Sequence, residues 1–421
     1  MSEQLITVAI IGAGGRGAGF ASLVTQSGFA GLGKVVGVAE PRDAYREKLV
    51  EAHGIAPEMT FRTWQEFCAQ PKLCDAVVIS TMDRDHVGPA VACLEKGYHV
   101  LLEKPMAISL EDCQAIAAAH RKAGTKVAVC HSMRYHKGFA KVKELIADGR
   151  IGKVVTLDNI EQVAFWHQAH SFVRGNWGNE GRSTFMLLAK SCHDIDYISY
   201  LVGAPCERVA SYGSLSYFTE ANAPEGSTDR CVNGCQVERE CPYSAIKAYV
   251  EAEHLEWWPA EVCSPMHTKE AHLEAITSGP YGRCVYRCDN DVVDHQVVLL
   301  EYAGGVTATF TMTAFTQQGG RRVRVNGTDG TIDFDESTII LRTFADNNTE
   351  TIHLGAESGG HGGGDWRVVN SWLRAIRDDD ASLILTDAQE SLRTHTIVFA
   401  AEKARKEGRM VTIEEMTEAR A

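Results

Sequence analysis

LITVAIIGAGGRGAGFASLV, residues 5–24, decides how the rest of the chain is read. Apolar, largely β-branched residues run into Gly12, Gly14 and Gly17 in G-x-G-x-x-G spacing, and a helix-compatible stretch follows. A dinucleotide-binding turn has this order of strand, glycines and helix. Gly12 permits the tight turn, Gly14 lets the backbone approach a pyrophosphate, and Gly17 lets the helix pack closely, while the helix N-terminus favours phosphate charge. Gly15 and Arg16, inside the turn, are further candidate cofactor contacts. The plain alternative is a flexible loop, so the flanking segments must arbitrate.

They favour the nucleotide reading. KVVGVAE, residues 34–40, is a second strand ending in Glu40, at about the 20-residue separation expected of the acid that binds an adenosine ribose. Glu40 points to NAD; Arg42 just beyond could pair with a 2'-phosphate and leaves NADP open. The alternation continues with a helix over 44–53, the strand AVVIST from Ala76, a helix from His86 to Lys96, HVLLEK at 99–104, a helix over 110–123 and the strand KVAVCHS. Strands separated by helices imply right-handed crossovers and a doubly wound parallel sheet whose ligands lie at the carboxyl ends of its strands. Thr81, Asp83, His86, Glu103, Lys104, His131 and Arg134 all fall on that rim. Lys104 follows a strand directly, and Pro105 biases it away from helical geometry, so its direction is restricted before a ligand arrives.

The chain of 421 residues exceeds one ordinary core, so two domains are expected: a nucleotide-binding domain over 1–130 and a second over 131–421. A net charge of -13 without a basic run argues against nucleic acid and against a membrane surface. The N-terminus has no basic region or cleavage site of a secretion signal, and its apolar run is too short to span a bilayer. Thirteen cysteines in such a chain read as reduced thiols of a cytoplasmic protein.

From His131 onward alternating segments such as VVLLEY and GVTATFTMTAF predict a large, open, mostly antiparallel sheet with helices on one face and the other left for solvent or for a second subunit of a homo-oligomer, dimer or tetramer. WHQAHSFVRGNWGNEGRS, 166–183, mixes flat rings with polar heads: Trp166, His167, His170, Arg174 and Trp177 could cover and hydrogen-bond a carbohydrate, although either Trp could equally be core. A cysteine-rich insertion spans about 214–290; Cys231, Cys235, Cys241 and one of the pair Cys284 and Cys288, taken as Cys288, could close a structural zinc site, against the blander reading of packed thiols. In SGGHGGGDWRVVNSWLRAI, Asp365 is expected to cap an amphipathic helix, and His361 among its glycines to close over substrate.

With these residues assembled, the chain resembles the Gfo/Idh/MocA oxidoreductases: IIGAGGRG resembles their nucleotide turn, ISTMDRDHV the ribose loop, GYHVLLEKPMAIS the lysine-proline signature and SCHDIDYISYLVG the histidine motif, with the later segments NDVVDHQVVLLEYAGG and RVRVNGTDGTIDFD. The resemblance implies a Rossmann domain followed by an α/β domain, and a sugar, polyol or related substrate between nicotinamide and sheet. It also implies Lys104 and His193 as the catalytic pair and often a cis bond before Pro105. Family dehydrogenases commonly carry a carboxylate four residues before the histidine; here Ala189 stands there, followed by Lys190, and Asp194 lies nearby on another face. The expected activity is NAD-dependent oxidation of a CH–OH group. An NAD-dependent glycosidase acting through transient oxidation, and a non-catalytic sugar sensor, are the alternatives.

Overall fold

β1 (Ile6–Ile11), β2 (Gly33–Ala39), β3 (Thr60–Phe61), β4 (Ala76–Ile79), β5 (His99–Leu102) and β6 (Val127–Val129) form a six-stranded sheet in the order β3-β2-β1-β4-β5-β6. Every pairing in it is parallel. These strands are near-continuous apolar runs because helices cover both faces, and all of Ala76–Ile79 is buried. The computed structural model describes residues 5–26, 32–355 and 359–418.

Strand order reverses between β1 and β4, so the crevice for a ligand opens where Ile11 and Ile79 end side by side. The glycine turn fills this switch point. Gly12 has φ 89°, and a Cβ on it would lie 2.6 Å from the Ser80 carbonyl oxygen; one on Gly17 would lie 1.9 Å from the Gly12 carbonyl oxygen. Both glycines are thus required by the chain's own packing. Gly15, where an added Cβ meets nothing within 4 Å, opens the first turn of the helix Gly15–Thr25 to a ligand.

The second sheet comprises β7 (Val154–Gln162), β8 (Cys206–Ser214), β9 (His295–Tyr302), β10 (Val306–Thr313), β11 (Gly320–Gly327), β12 (Gly330–Phe334), β13 (Thr338–Thr343), β14 (Asn348–His353) and β15 (Val411–Thr412). Their order is β14-β13-β12-β11-β7-β10-β9-β8-β15, antiparallel except between β7 and β10. Alternation along β9 puts Val298, Leu300 and Tyr302 into a core shared with Ile195 and Ile198 of the helix Cys192–Val202 and Ile397, Ala400 and Ala401 of the helix Ala388–Glu407. The opposite face bears Val155, Tyr212 and Leu299 in the open. The open, mostly antiparallel sheet expected of the second half is therefore present.

Two expectations are corrected. Asp365 does not cap the helix Gly364–Arg377; Gly363, at φ 80°, occupies that place, and Asp365 lies inside the first turn with its carboxylate committed elsewhere. Structural zinc at Cys231, Cys235, Cys241 and Cys288 is not supported. Among the described residues no three His, Cys, Asp or Glu side chains are arranged to hold a metal ion. The thiols are used as small apolar and weakly polar groups: Cys231 Sγ accepts the Ala245 N–H at 3.3 Å, and Cys288 donates to the Cys284 carbonyl at 3.3 Å. Burial pushes the Cys288 thiol up to about 11, which keeps it protonated.

The helix Gly364–Arg377 returns to the first sheet. Its Val368, Val369, Trp372 and Leu373 share one core with Ile6, Val8, Ile10, Phe20 and Val24. The nucleotide-binding layers are thus completed by residues more than 200 positions beyond the last of their strands. Among the described residues no helix is long and apolar enough to cross a membrane.

Candidate functional site

At the adenosine end, Glu40 sits at the tip of β2 and is buried. Its carboxylate accepts the Ala13 N–H of the glycine turn at 2.8 Å and the Arg42 guanidinium at 2.7 and 3.0 Å. Burial pushes the Glu40 carboxyl up, but the Arg42 and Ala13 hydrogen bonds outweigh it and hold it below the ordinary value. Arg42 is half exposed and lies over Tyr45, its guanidinium carbon 4.0 Å from the ring centre. The acid and the cation read from the sequence therefore form one unit at the mouth of the turn.

Arg16 leaves the turn in the opposite direction. Its Nε donates to Glu103 at 2.5 Å and its Nη1 to Asp365 at 2.6 Å, tying the glycine turn to the end of β5 and to the helix Gly364–Arg377. Asp365 also accepts the Ser132 hydroxyl at 2.6 Å and lies 2.9 Å from His361 Nδ1. Burial alone would raise the Asp365 carboxyl; His361 and Arg16 hold it far below the usual carboxylate range. Among the other rim residues, His86 bonds the Pro105 carbonyl at 2.8 Å and Asp83 accepts from Trp177 Nε1 at 2.9 Å and Ser183 at 3.1 Å. Thr81 donates to the Asp85 carbonyl at 3.1 Å. These three brace the rim loop and the domain junction.

Lys104 stands past the end of β5, and its Nζ donates to the Ala189 carbonyl at 2.8 Å. Ala189 is the position where the expected carboxylate is absent, so backbone oxygen fills part of that place. His193, in the first turn of the helix Cys192–Val202, is 2% exposed, and neither ring nitrogen has a hydrogen-bond partner. Its ring centre lies 5.0 Å from that of His361 and 5.8 Å from that of His131, whose nitrogens are also unpartnered. Burial first, then the charges of His361 and Lys104, push His193 well below its ordinary value and keep the imidazole neutral. A buried, neutral imidazole with both ring nitrogens unbonded can accept a proton.

Glu161 of β7 sets a buried carboxylate against Lys190, the residue after Ala189. Lys190 Nζ donates to Glu161 at 2.6 Å, and Arg321 Nη2 lies 2.9 Å from the other Glu161 oxygen without hydrogen-bond alignment. Burial pushes the Glu161 carboxyl above its ordinary value despite these cations. Glu161 and Arg321 were missed at the sequence level, because in β-strands they read as residues of an outer face; their signal would have been charge at positions of alternation that bury. Arg321 also takes Asp194 at 2.9 Å, with Asn159 and Tyr197 donating to the same carboxylate, so Asp194 pins the helix to the sheet. Arg134 is similarly occupied: it holds Asp196 at 2.7 and 2.9 Å and Glu390 at 2.7 Å.

β7 leads through Ala164, at φ 71°, into the loop expected to face substrate. Thr316 holds this uncommon conformation by accepting the Ala164 and Phe165 N–H groups at 3.2 and 2.9 Å. Trp166 and His167 follow, then π-helical winding over Gln168–Arg174. His167 is pushed well below its ordinary value by burial first, and then by the charge of Lys190. His170 and Arg174 instead fasten the loop to the insertion: His170 bonds the Tyr249 hydroxyl at 3.0 Å, and Arg174 donates to the Arg283 and Tyr243 carbonyls at 2.7 and 2.6 Å. Trp258 of the insertion lies edge-on to His167 at 4.9 Å, a neighbour the sequence reading did not name.

Residues 6–131 match the oxidoreductase family with an NAD-binding Rossmann fold, and residues 143–413 match that family's C-terminal alpha/beta domain. The chain belongs to the Gfo/Idh/MocA oxidoreductase family. Among curated relatives, YteT of Bacillus subtilis is 29% identical over 312 residues, 69% of this chain and 70% of that protein. A myo-inositol 2-dehydrogenase of Thermotoga maritima is 26% identical over 180 residues, 42% of this chain and 50% of that protein. A levoglucosan dehydrogenase, solved with NADH and levoglucosan, superposes with a TM-score of 0.69 at 18% identity, covering 97% of this chain and 100% of that one. That likeness shows the shared fold. The residues present fit a dinucleotide: the turn leaves Gly15 open at a helix N-terminus, and the Glu40 carboxylate, bonded to Ala13 of the turn, stands with Arg42 at the end of β2.

Proposed function

We propose that this oxidoreductase removes hydride from a CH–OH carbon of a sugar, polyol or glycoside, using NAD in preference to NADP. The observation that carries the reading is His193, neutral, buried and unpartnered, beside Lys104 at the rim of the nucleotide crevice. When bound, NAD supplies the hydride acceptor. Lys104, directed by the Ala189 carbonyl, donates a hydrogen bond to the substrate hydroxyl, and a His193 ring nitrogen takes its proton. Glu161 and Lys190 orient a neighbouring hydroxyl, and His361 borders the same space. The myo-inositol and levoglucosan dehydrogenases among the relatives support a polyhydroxylated substrate.

NAD preference is supported by the buried Glu40 carboxylate, which a 2'-phosphate would have to approach. A homo-oligomer through the open sheet face, and a cytoplasmic setting for thirteen free thiols, complete the reading. The test is NADH formation across a panel of sugars, polyols and aryl glycosides, with aglycone followed in parallel. NADH accumulation that is lost in Lys104→Ala and His193→Ala supports the proposal; aglycone release without net NADH assigns the protein to redox-assisted glycoside cleavage instead.

A further inference from the structure

Sixteen large apolar side chains are exposed on the described surface, and two of them, Trp166 and Trp258, meet each other at the site. Their ring centres are 5.3 Å apart at 63°, and both rest on His167, Trp166 stacked at 5.7 Å and 24°, Trp258 edge-on at 4.9 Å. Each keeps a broad face in solvent, with 38% of Trp166 and 43% of Trp258 exposed. Core packing does not account for them, because a core Trp is covered; Trp372 is 0% exposed.

The platform is also held rigidly. Trp166 follows the constrained Ala164, and Trp258 is positioned through His170, which it meets at 5.3 Å and which is itself stacked on Tyr281 at 4.8 Å. Tyr249 fastens His170 from the same insertion. The adjacent Trp257 is more exposed, at 60%, yet stacks on His254 and has no ring contact with His167. Exposure alone therefore does not select the pair; continuity with His167 does, because that ring meets Phe172 at 5.7 Å, Phe172 meets Trp177 at 6.4 Å, and Trp177 donates to Asp83 on the rim at 2.9 Å.

We propose that Trp166 and Trp258 form an outer subsite for a second ring, so that the substrate is a two-ring glycoside, disaccharide or aryl glycoside, in preference to a free monosaccharide. This rests on the carbohydrate reading above and narrows it. A pyranose ring presents C–H groups on one face and an aryl aglycone presents a π-face, and either covers indole without leaving a buried polar group unpaired. Lys104 and His193 then act on the inner ring while the indoles hold the outer one. The cysteine-rich insertion thereby acquires a role in specificity, since it supplies Trp258 and braces the loop that supplies Trp166.

The NAD-loaded full-length protein tests this by calorimetry with matched probes: glucose against cellobiose and 4-nitrophenyl glucoside, and galactose against lactose and 4-nitrophenyl galactoside. In at least one set a two-ring member is expected to bind about tenfold more tightly than its single ring, a gain in the range of one aromatic stacking contact. Trp166→Ala and Trp258→Ala each reduce that ratio several-fold, Trp258→Phe restores most of it, and Trp257→Ala leaves it unchanged. Equal or absent binding of the two-ring members, or an unchanged ratio in both alanine variants, overturns the subsite. So does a fall in oligomer mass on Trp258→Ala without a change in the ratio, which assigns the indoles to contact with a second copy of this chain. NADH is scored separately: a two-ring preference that depends on both tryptophans without any NADH supports the subsite while the dehydrogenase reading fails.

Discussion

His193 owes its chemistry to burial. An imidazole in water titrates near 6.5, but with no solvent to stabilise its charge, and with His361 and Lys104 nearby, it stays neutral well below that pH. The sign follows directly: a depressed histidine remains a base as pH falls through 6.5, so the acid limb of kcat/KM is expected below pH 6.5. A limb at or above 6.5 in a pH–rate profile would mean that another group limits the rate. The same shift means that the unfolded chain binds the proton first, so His193 lowers stability as pH drops below its unfolded value. His193→Asn is expected to reduce kcat by about 10²- to 10⁴-fold with little change in NAD affinity, measured by steady-state kinetics and cofactor titration. Lys104 and His193 were both legible in the sequence because each lies in a short, unusual motif. Glu161 was not, since a single carboxylate in β7 says nothing about which face the strand buries.

At the scale of elements, the glycine turn, the end of β5 and the helix Gly364–Arg377 are joined by the Glu103–Arg16–Asp365 chain. Position 17 is the narrowest point, because an added Cβ would stand 1.9 Å from the Gly12 oxygen, a backbone atom that cannot swing away. Gly17→Ala is therefore expected to displace the turn and weaken NAD binding by at least tenfold in a calorimetric titration; unchanged affinity would show that the helix shifts freely. The spacing of the three glycines announced this turn without help from anything distant. Asp365 shows the opposite case. Aspartate near the start of a helix is usually a cap, but Gly363 takes that place and Asp365 is drawn to His361, four residues before it, and to Arg16 and Ser132, partners that no local pattern reveals.

For the molecule as a whole, the two sheets are not served by two consecutive stretches of chain. Trp372, wholly buried against β1 and the helix Gly15–Thr25, completes the first core from the far end of the sequence. Trp372→Ala is expected to destabilise the full-length protein by about 3–5 kcal/mol, with NAD binding lost at the same transition in thermal unfolding. A small change in Tm would mean that the nucleotide domain does not depend on that helix. The sequence by itself determined the parallel nucleotide sheet, its switch-point turn and the second open sheet. These rest on periodicity and on residues close together along the chain, where backbone geometry alone fixes which groups meet. Only the tertiary structure decided that Glu161 pairs with Lys190, that Arg134 and Asp194 are internal struts, and that Trp258 meets His167. Each of these depends on packing between segments far apart in sequence, and the desolvation and pairing that set their roles exist only once those segments are brought together.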